Sequence, residues 1–583
     1  MPDSTPVRPP GPKIPSAPAP AQPTAAAELD RMLHNWQSRF TGGRSPSTVG
    51  LAMLDWAAHA GNAPFQTTEL LQASFTQWGR LAQAAMGGPP AIAPQPGDRR
   101  FEHEAWRQRP FELLSQAVLL GEEWWGKLVQ GPGGVDPQNR RIVAFTVRQF
   151  LDLASPSNVA WLNPQVIGAT SASGGTNIAA GMQNLLRDQA AMRGERAPGA
   201  LVVGKDLAAT PGKVVFRNAL MELIQYSPTT ELAGAEPVLI MPAWIMKYYI
   251  LDLSPANSLI RWLVAQGRTV FAISWRNPGA DMGGTSLDDY RIQGVMAAVD
   301  AVQAVCGGAK VHATGYCLGG TLLAIAAAAM ARDGDDRLAS LSLFAAQTDF
   351  TEAGELQLFI TEDQLDFLGD IVRTQGYLSS AQMGGAFQML RSNDLVWTHA
   401  VNDYLLGGQD KPTDLMAWNA DGTRLPARMH MEYLRSLFLN NDLAEGRFQV
   451  DGRPLELGDT RLPMFVVGTE WDHIAPWHSV FKLHQLNDQA LTFVLTSGGH
   501  NAGIVSEPGH PHRHYRIRTR KAGARTPGWQ EWEGGTAPQD GSWWPEWGAW
   551  LTRHSGTTVP PPPMGLPGHL PLGDAPGTYV LET

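Results

Sequence analysis

The stretch Lys310–Gly320, KVHATGYCLGG, puts one of the chain's two cysteines at the centre of Gly315-Tyr316-Cys317-Leu318-Gly319. A β-rich run, KVHATG, precedes it and an apolar helix-forming run, TLLAIAAAAMA, follows it. Strand, tight turn and helix together are the setting of a nucleophile elbow, where small neighbours let the chain fold back and the central side chain is lifted above a sheet. The pattern therefore predicts Cys317 as a nucleophile. It also puts the Leu318 backbone N–H at a helix start, where it can stabilise an oxyanion. The bland alternative, a small apolar residue packed in a Gly-rich turn, fits this context less well. That alternative suits Cys306, inside the helical AVDAVQAVCGG, which is expected to be inert packing.

A thiol titrates near pH 8.5 and needs a base to act at neutral pH. In an α/β-hydrolase the order along the chain is nucleophile, acid, histidine, with each at the carboxyl end of a later strand. Two downstream runs end suitably: LPMFVVG leads into Thr469-Glu470-Trp471-Asp472-His473, and LTFVLT into Ser497-Gly498-Gly499-His500. Asp472 is thus the candidate orienting acid and His500 the candidate base. Asp349, closing LSLFAAQTDF, is the rival for the acid.

Around this centre, β-rich runs alternate with amphipathic stretches from KVVFRN onward, the signature of a largely parallel sheet with helices on both faces. The fold class expected is α/β, an α/β-hydrolase domain over residues 196–583, interrupted at about 351–459 by an insertion too long for a plain crossover and read as a cap. Residues 28–195 carry helical periodicity, as in FELLSQAVLLGEEWWGKLV, and are expected to form a helical N-terminal domain. Residues 1–27, rich in Pro and Ala, are expected to be a disordered extension.

Bulk composition narrows the function classes. The 583 residues carry 45 Lys plus Arg against 55 Asp plus Glu, net charge -10, which gives no global field for nucleic acid or an anionic membrane. Two cysteines make no disulfide framework and no apolar run reaches the ~20 residues of a spanning helix, so a cytoplasmic location is expected. The loop HPHRH, His510–His514, lacks accompanying thiolates or carboxylates, so no metal is assigned. His473 is expected to take a hydrogen-bonding or surface role. Trp529, Trp532, Trp543, Trp544, Trp547 and Trp550 are expected to serve packing.

Beyond the elbow, several segments carry a family resemblance: Pro242–Pro278, PAWIMKYYILDLSPANSLIRWLVAQGRTVFAISWRNP; GYCLGGT; WDHIAPW; GGHNAGI; WNADGTRLP; and APGTYVLE near the end. Over roughly residues 100–583 the chain resembles the polyhydroxyalkanoate synthases of class I, the single-subunit type. The stretch from Gly498 onward is longer and more basic than in the simplest members. The resemblance implies polymerisation of (R)-3-hydroxyacyl-CoA, such as 3-hydroxybutyryl-CoA, with release of CoA. Cys317 would be the nucleophile, His500 the base and Asp472 the third member, with no cofactor. It further implies a homodimer at the surface of polyester granules. Two alternatives remain: a thioesterase or depolymerase using the same residues with water as acceptor, or a non-catalytic granule-binding protein.

Overall fold

The computed structural model describes residues 24–583 apart from 42, 96–97, 194–198, 391, 393–395 and 409–412. The expected extension at 1–27 lies almost wholly outside the described residues, and Ala25 already opens a helix.

Among the described residues one sheet has eleven strands: β1 (Lys213–Arg217), β2 (Met221–Tyr226), β3 (Val238–Met241), β4 (Val270–Trp275), β5 (Val311–Tyr316), β6 (Leu338–Phe344), β7 (Met464–Thr469), β8 (Leu491–Thr496), β9 (His514–Arg520), β10 (Gln539–Asp540) and β11 (Gly573–Asp574). Their spatial order is β10-β9-β8-β7-β6-β5-β3-β4-β2-β1-β11. The run from β4 through β3, β5, β6 and β7 to β8 is parallel. These strands read as near-continuous apolar runs because both faces are covered. One face packs against Leu322–Met330 of the helix after β5, and the other against Leu259–Val264 and Trp543–Leu551.

Strand β9 falls in the basic stretch beyond His500, where the sequence offered a loop. Tyr515 and Ile517 alternate with Arg516 and Arg518, and the strand pairs antiparallel with β8 from Thr496↔Tyr515 to Leu491↔Arg520.

The N-terminal helices are α1 (Ala25–Thr41), α2 (Pro46–Gly61), α3 (Pro64–Ala85), α4 (Phe111–Gln130), α5 (Pro137–Leu153), α6 (Pro164–Ser173) and α7 (Thr176–Met192). Three of them start on a capping residue followed by proline. Ser45, Asp136 and Asn163 each accept a backbone N–H of the first turn, and Pro46, Pro137 and Pro164 fill the position where an N–H is not needed.

These helices pack on the segment between β6 and β7. Asp363 in that segment accepts hydrogen bonds from Ser45 and Thr48 at 2.6 Å each, and His34 pairs with Asp370 at 2.9 Å. The Asn184 amide donates to the carbonyls of Asp403 (2.9 Å) and Gly408 (2.7 Å), and Asn177 donates to Leu405 (2.8 Å). The approach is so close that a Cβ on Gly181 would lie 1.8 Å from the Tyr404 carbonyl oxygen. Gly181→Ala should therefore loosen α7 from this segment, an overpacking cost of about 1–3 kcal/mol. Limited proteolysis checks this: cutting should rise within 176–192 and 400–408 and stay unchanged in the sheet, and an unaltered digestion pattern contradicts the packing.

Candidate active site

Strand β5 delivers Cys317 at φ 52°, a backbone conformation that L-residues rarely adopt, and helix α8 (Leu318–Arg332) begins at the next residue. Such strain costs of order 1–3 kcal/mol and persists only where the surroundings over-determine it. Here they do. A Cβ on Gly315 would lie 2.4 Å from Gly320 Cα, and one on Gly319 would lie 2.2 Å from the carbonyl oxygen of Met241 at the end of β3. The Cys317 N–H donates to Phe344 O of β6 at 2.9 Å, which ties the turn to its other neighbour. Leu318, as first residue of the helix, has an N–H with no intrahelical acceptor.

The ends of β7 and β8 bring Asp472 and His500 together. His500 Nδ1 lies 2.7 Å from Asp472 Oδ2, and Cys317 is close enough for its charge to act on the imidazole. The Nδ1–H therefore donates to Asp472, leaving Nε2 for the sulfur. Asp472 accepts further from Thr469 Oγ1 (3.0 Å) and the N–H groups of Ile474 (2.9 Å) and Ala475 (2.8 Å). Asp349, the rival acid, turns elsewhere: it accepts from Thr351 N–H at 2.9 Å and faces Lys482 Nζ at 3.8 Å.

The electrostatics follow from burial and charge. Burial opposes ionisation of Asp472, yet the His500 charge and the two backbone N–H donors outweigh it and hold the carboxyl below its usual value. For His500 burial pulls downward, and the charges on Asp472 and then Cys317 carry it well above its usual value. Cys306 shows the contrast. With burial alone acting on it, its thiol is pushed up to about 12.

Other residues complete the frame, and sequence reading had given no role to Tyr316 or Asn501 among them. Tyr316 tilts under the imidazole with ring centroids 5.6 Å apart, and its hydroxyl donates to Asn501 Oδ1 at 2.6 Å. The indole N–H groups of Trp543 and Trp544 each donate at 3.0 Å, to Gly503 O and Ile504 O, holding the loop that carries His500. Trp532, Trp543, Trp544, Trp547 and Trp550 are buried, as packing residues should be, while Trp529 is partly exposed. His473 accepts the Glu355 N–H on its carbonyl at 3.4 Å. Among the described residues no cluster of three His, Cys, Asp or Glu could hold a metal, and no helix is long and apolar enough to cross a membrane.

Residues 97–263 match the family model for the poly-beta-hydroxybutyrate polymerase (PhaC) N-terminus, 24–66 match that for the poly-beta-hydroxybutyrate polymerase N terminal region, and 236–507 match that for the alpha/beta hydrolase fold. A poly(3-hydroxyalkanoate) polymerase of Methylorubrum extorquens is 41% identical over 522 residues, 88% of this chain and 86% of the relative. The PhaC subunit of the Cupriavidus necator polymerase is 34% identical over 572 residues, 97% of this chain and 96% of the relative. The chain belongs to the poly(3-hydroxyalkanoate) polymerase family. As a member of that polymerase family it is an acyl-transferring enzyme on an α/β-hydrolase fold.

The charge balance in this polymerase sets a sign that can be checked. His500 binds its proton more tightly folded than unfolded, so the stability it contributes is complete below about pH 6.5 and is lost as pH rises through the folded value. Asp472→Asn keeps a hydrogen-bonding partner and removes the charge, leaving burial to dominate. Histidine NMR should then show His500 losing its proton at lower pH than in the wild type, and an unshifted titration contradicts this account.

Proposed function

We propose that the enzyme polymerises (R)-3-hydroxyacyl-CoA, such as 3-hydroxybutyryl-CoA, through a covalent thioester on Cys317. The observation that carries this reading is a cysteine on a strained elbow near a buried imidazole that is itself charge-paired to Asp472.

His500 takes the thiol proton and the Cys317 sulfur attacks the substrate thioester carbonyl. The Leu318 N–H receives the developing oxyanion. Collapse breaks the carbon–sulfur bond to CoA, and the imidazolium returns the proton to the departing thiolate. One thioester has replaced another, so little of the acyl-transfer potential is lost. A serine would have formed a more stable oxoester that is harder to pass on.

In the second half-reaction the 3-hydroxyl of another monomer gives its proton to His500 and attacks the acyl group on Cys317. An ester forms and the cysteine is released. The product is a longer acyl-CoA, which can acylate Cys317 again. Asp472 holds the imidazole and stabilises its charged form through both halves. Water would divert the intermediate to hydrolysis, and the segment between β6 and β7 serves as the cover that excludes it. The same reading puts the enzyme at the surface of its polyester, as a homodimer. Exposed Trp36, Phe65, Phe75 and Trp78 on α1 and α3 support contact with an apolar product.

Incubation with 3-hydroxybutyryl-CoA, following CoA release and insoluble polymer together, tests this. Cys317→Ala should abolish both and Cys306→Ala should retain most of each. Equal damage from the two changes would refute the assignment of the nucleophile. CoA release by the wild type without polymer would make the enzyme a hydrolase.

A further inference from the structure

Helix α9 (Ala427–Tyr433) belongs to the segment inserted between β6 and β7. The Tyr433 ring contacts Trp244 edge-on at 6.4 Å and Phe350 edge-on at 6.3 Å, with Phe438 behind it at 5.4 Å. Trp244 follows β3 and Phe350 follows β6, the two strands that flank β5. A ring packed between the two therefore lies at the carboxyl end of β5, which leads into Cys317.

The side chain is 8% exposed, yet among the described residues no group hydrogen-bonds its hydroxyl. Buried tyrosine hydroxyls ordinarily find a partner. Tyr226 and Tyr248 bond each other at 3.1 Å, and Tyr316 bonds Asn501. Tyr290, packed on the same Trp244, shares the lack of a partner, but burial alone acts on it. Tyr433 differs in place: its contacts with Trp244 and Phe350 set it at the carboxyl end of β5, the strand from which Cys317 follows.

We propose that the Tyr433 hydroxyl donates a hydrogen bond to the carbonyl oxygen of the acyl group reacting at Cys317, working beside the Leu318 N–H. Burial and the charge on Cys317 push the phenol well above its usual value, so it keeps its proton and serves only as a donor. The inserted segment thus contributes a catalytic group as well as a cover. The site is complete only when α9 is seated. The inference rests on the acyl-transfer reading above.

Tyr433→Phe removes the hydroxyl and keeps the ring contacts, so two rates measured in a Cys306→Ala background separate the roles. Acylation by 3-hydroxybutyryl-CoA, read as the CoA burst, develops an oxyanion. Alkylation of Cys317 by iodoacetamide does not, and it reports only the state and access of the sulfur. The expected result is a fall of about 10²-fold in acylation, the scale for losing one oxyanion donor, expressed in kcat with KM little changed, and an unaltered alkylation rate. Equal loss of both rates would mean that Tyr433 acts through the packing around Cys317 and His500, and overturns the inference. Unchanged acylation overturns it as well. A Cys306→Ala parent that alkylates normally but releases no CoA removes the acyl-transfer reading itself and this inference with it.

Discussion

The left-handed backbone at Cys317 is the constraint on which the rest of the structure depends. A residue at φ 52° between a strand and a helix relaxes unless both flanks are held, and here the holding is steric. Gly315 and Gly320 meet almost backbone to backbone, and Gly319 faces the Met241 carbonyl at the end of β3. Those contacts require β3 beside β5, and the Cys317 N–H requires β6 on the other side. The central order β3-β5-β6 is therefore a condition for presenting the sulfur at all. It also creates the crevice above the carboxyl ends of the parallel strands, where ligands of open α/β sheets bind.

Once the sulfur is raised, the buried charges have to balance. An isolated buried imidazolium or carboxylate is strongly disfavoured, and the pair survives because each supplies what the other lacks. Asp472 accepts four hydrogen bonds, from His500, Thr469, Ile474 and Ala475. Two of these donors are backbone groups of the turn after β7, so the acid is fixed by its own strand end. His500 depends on more distant support. Trp543 and Trp544 anchor its loop from a helix on the face of the sheet away from α8, α10 (Trp544–Arg553), and the residue before it. The tryptophan-rich C-terminal region thus serves the site through packing without touching the chemistry.

What was legible in the sequence was what short-range pattern encodes. The elbow, the alternation of strands and helices, and the strand ends carrying Asp472 and His500 all lie within windows of ten residues or so, where periodicity and glycine spacing speak directly. Chain order favoured Asp472 over Asp349, but each follows a strand and the pattern could not show what surrounds either carboxylate. The difference lies in Lys482 and Thr351, which face one carboxylate, and His500, which faces the other. Strand β9 was hidden by its arginines. HYRIRTR alternates as a strand should, but the basic side chains masked the period, and two of them are spent on carbonyls: Arg516 on Thr536 and Arg520 on His484 and Asn487. Tyr433 was invisible for the same reason as Lys482. Its neighbours come from three separate parts of the chain.

The inserted segment raises a physical conflict that the N-terminal helices help to resolve. On the proposed reaction a cover over the thioester must exclude water while a growing polyester leaves, which requires that the cover not be fused to the sheet on every side. Part of it belongs to the core near the site: Leu425, Met429, Leu437 and Phe438 lie in the same buried apolar cluster as the sheet, and Thr423 N–H donates to Ile245 O at 3.2 Å. Its outer surface is held by α1, α2 and α7 through Asp363, Asp370 and the carbonyls around Tyr404. Those contacts join polar side chains to surface carboxylates and carbonyls, and such bonds each contribute modestly, about 0.5–1.5 kcal/mol net. Several modest contacts can be exchanged in steps, whereas one continuous apolar core cannot. The helices therefore set how firmly the outer part of the inserted segment is held, while leaving the crevice itself to the sheet.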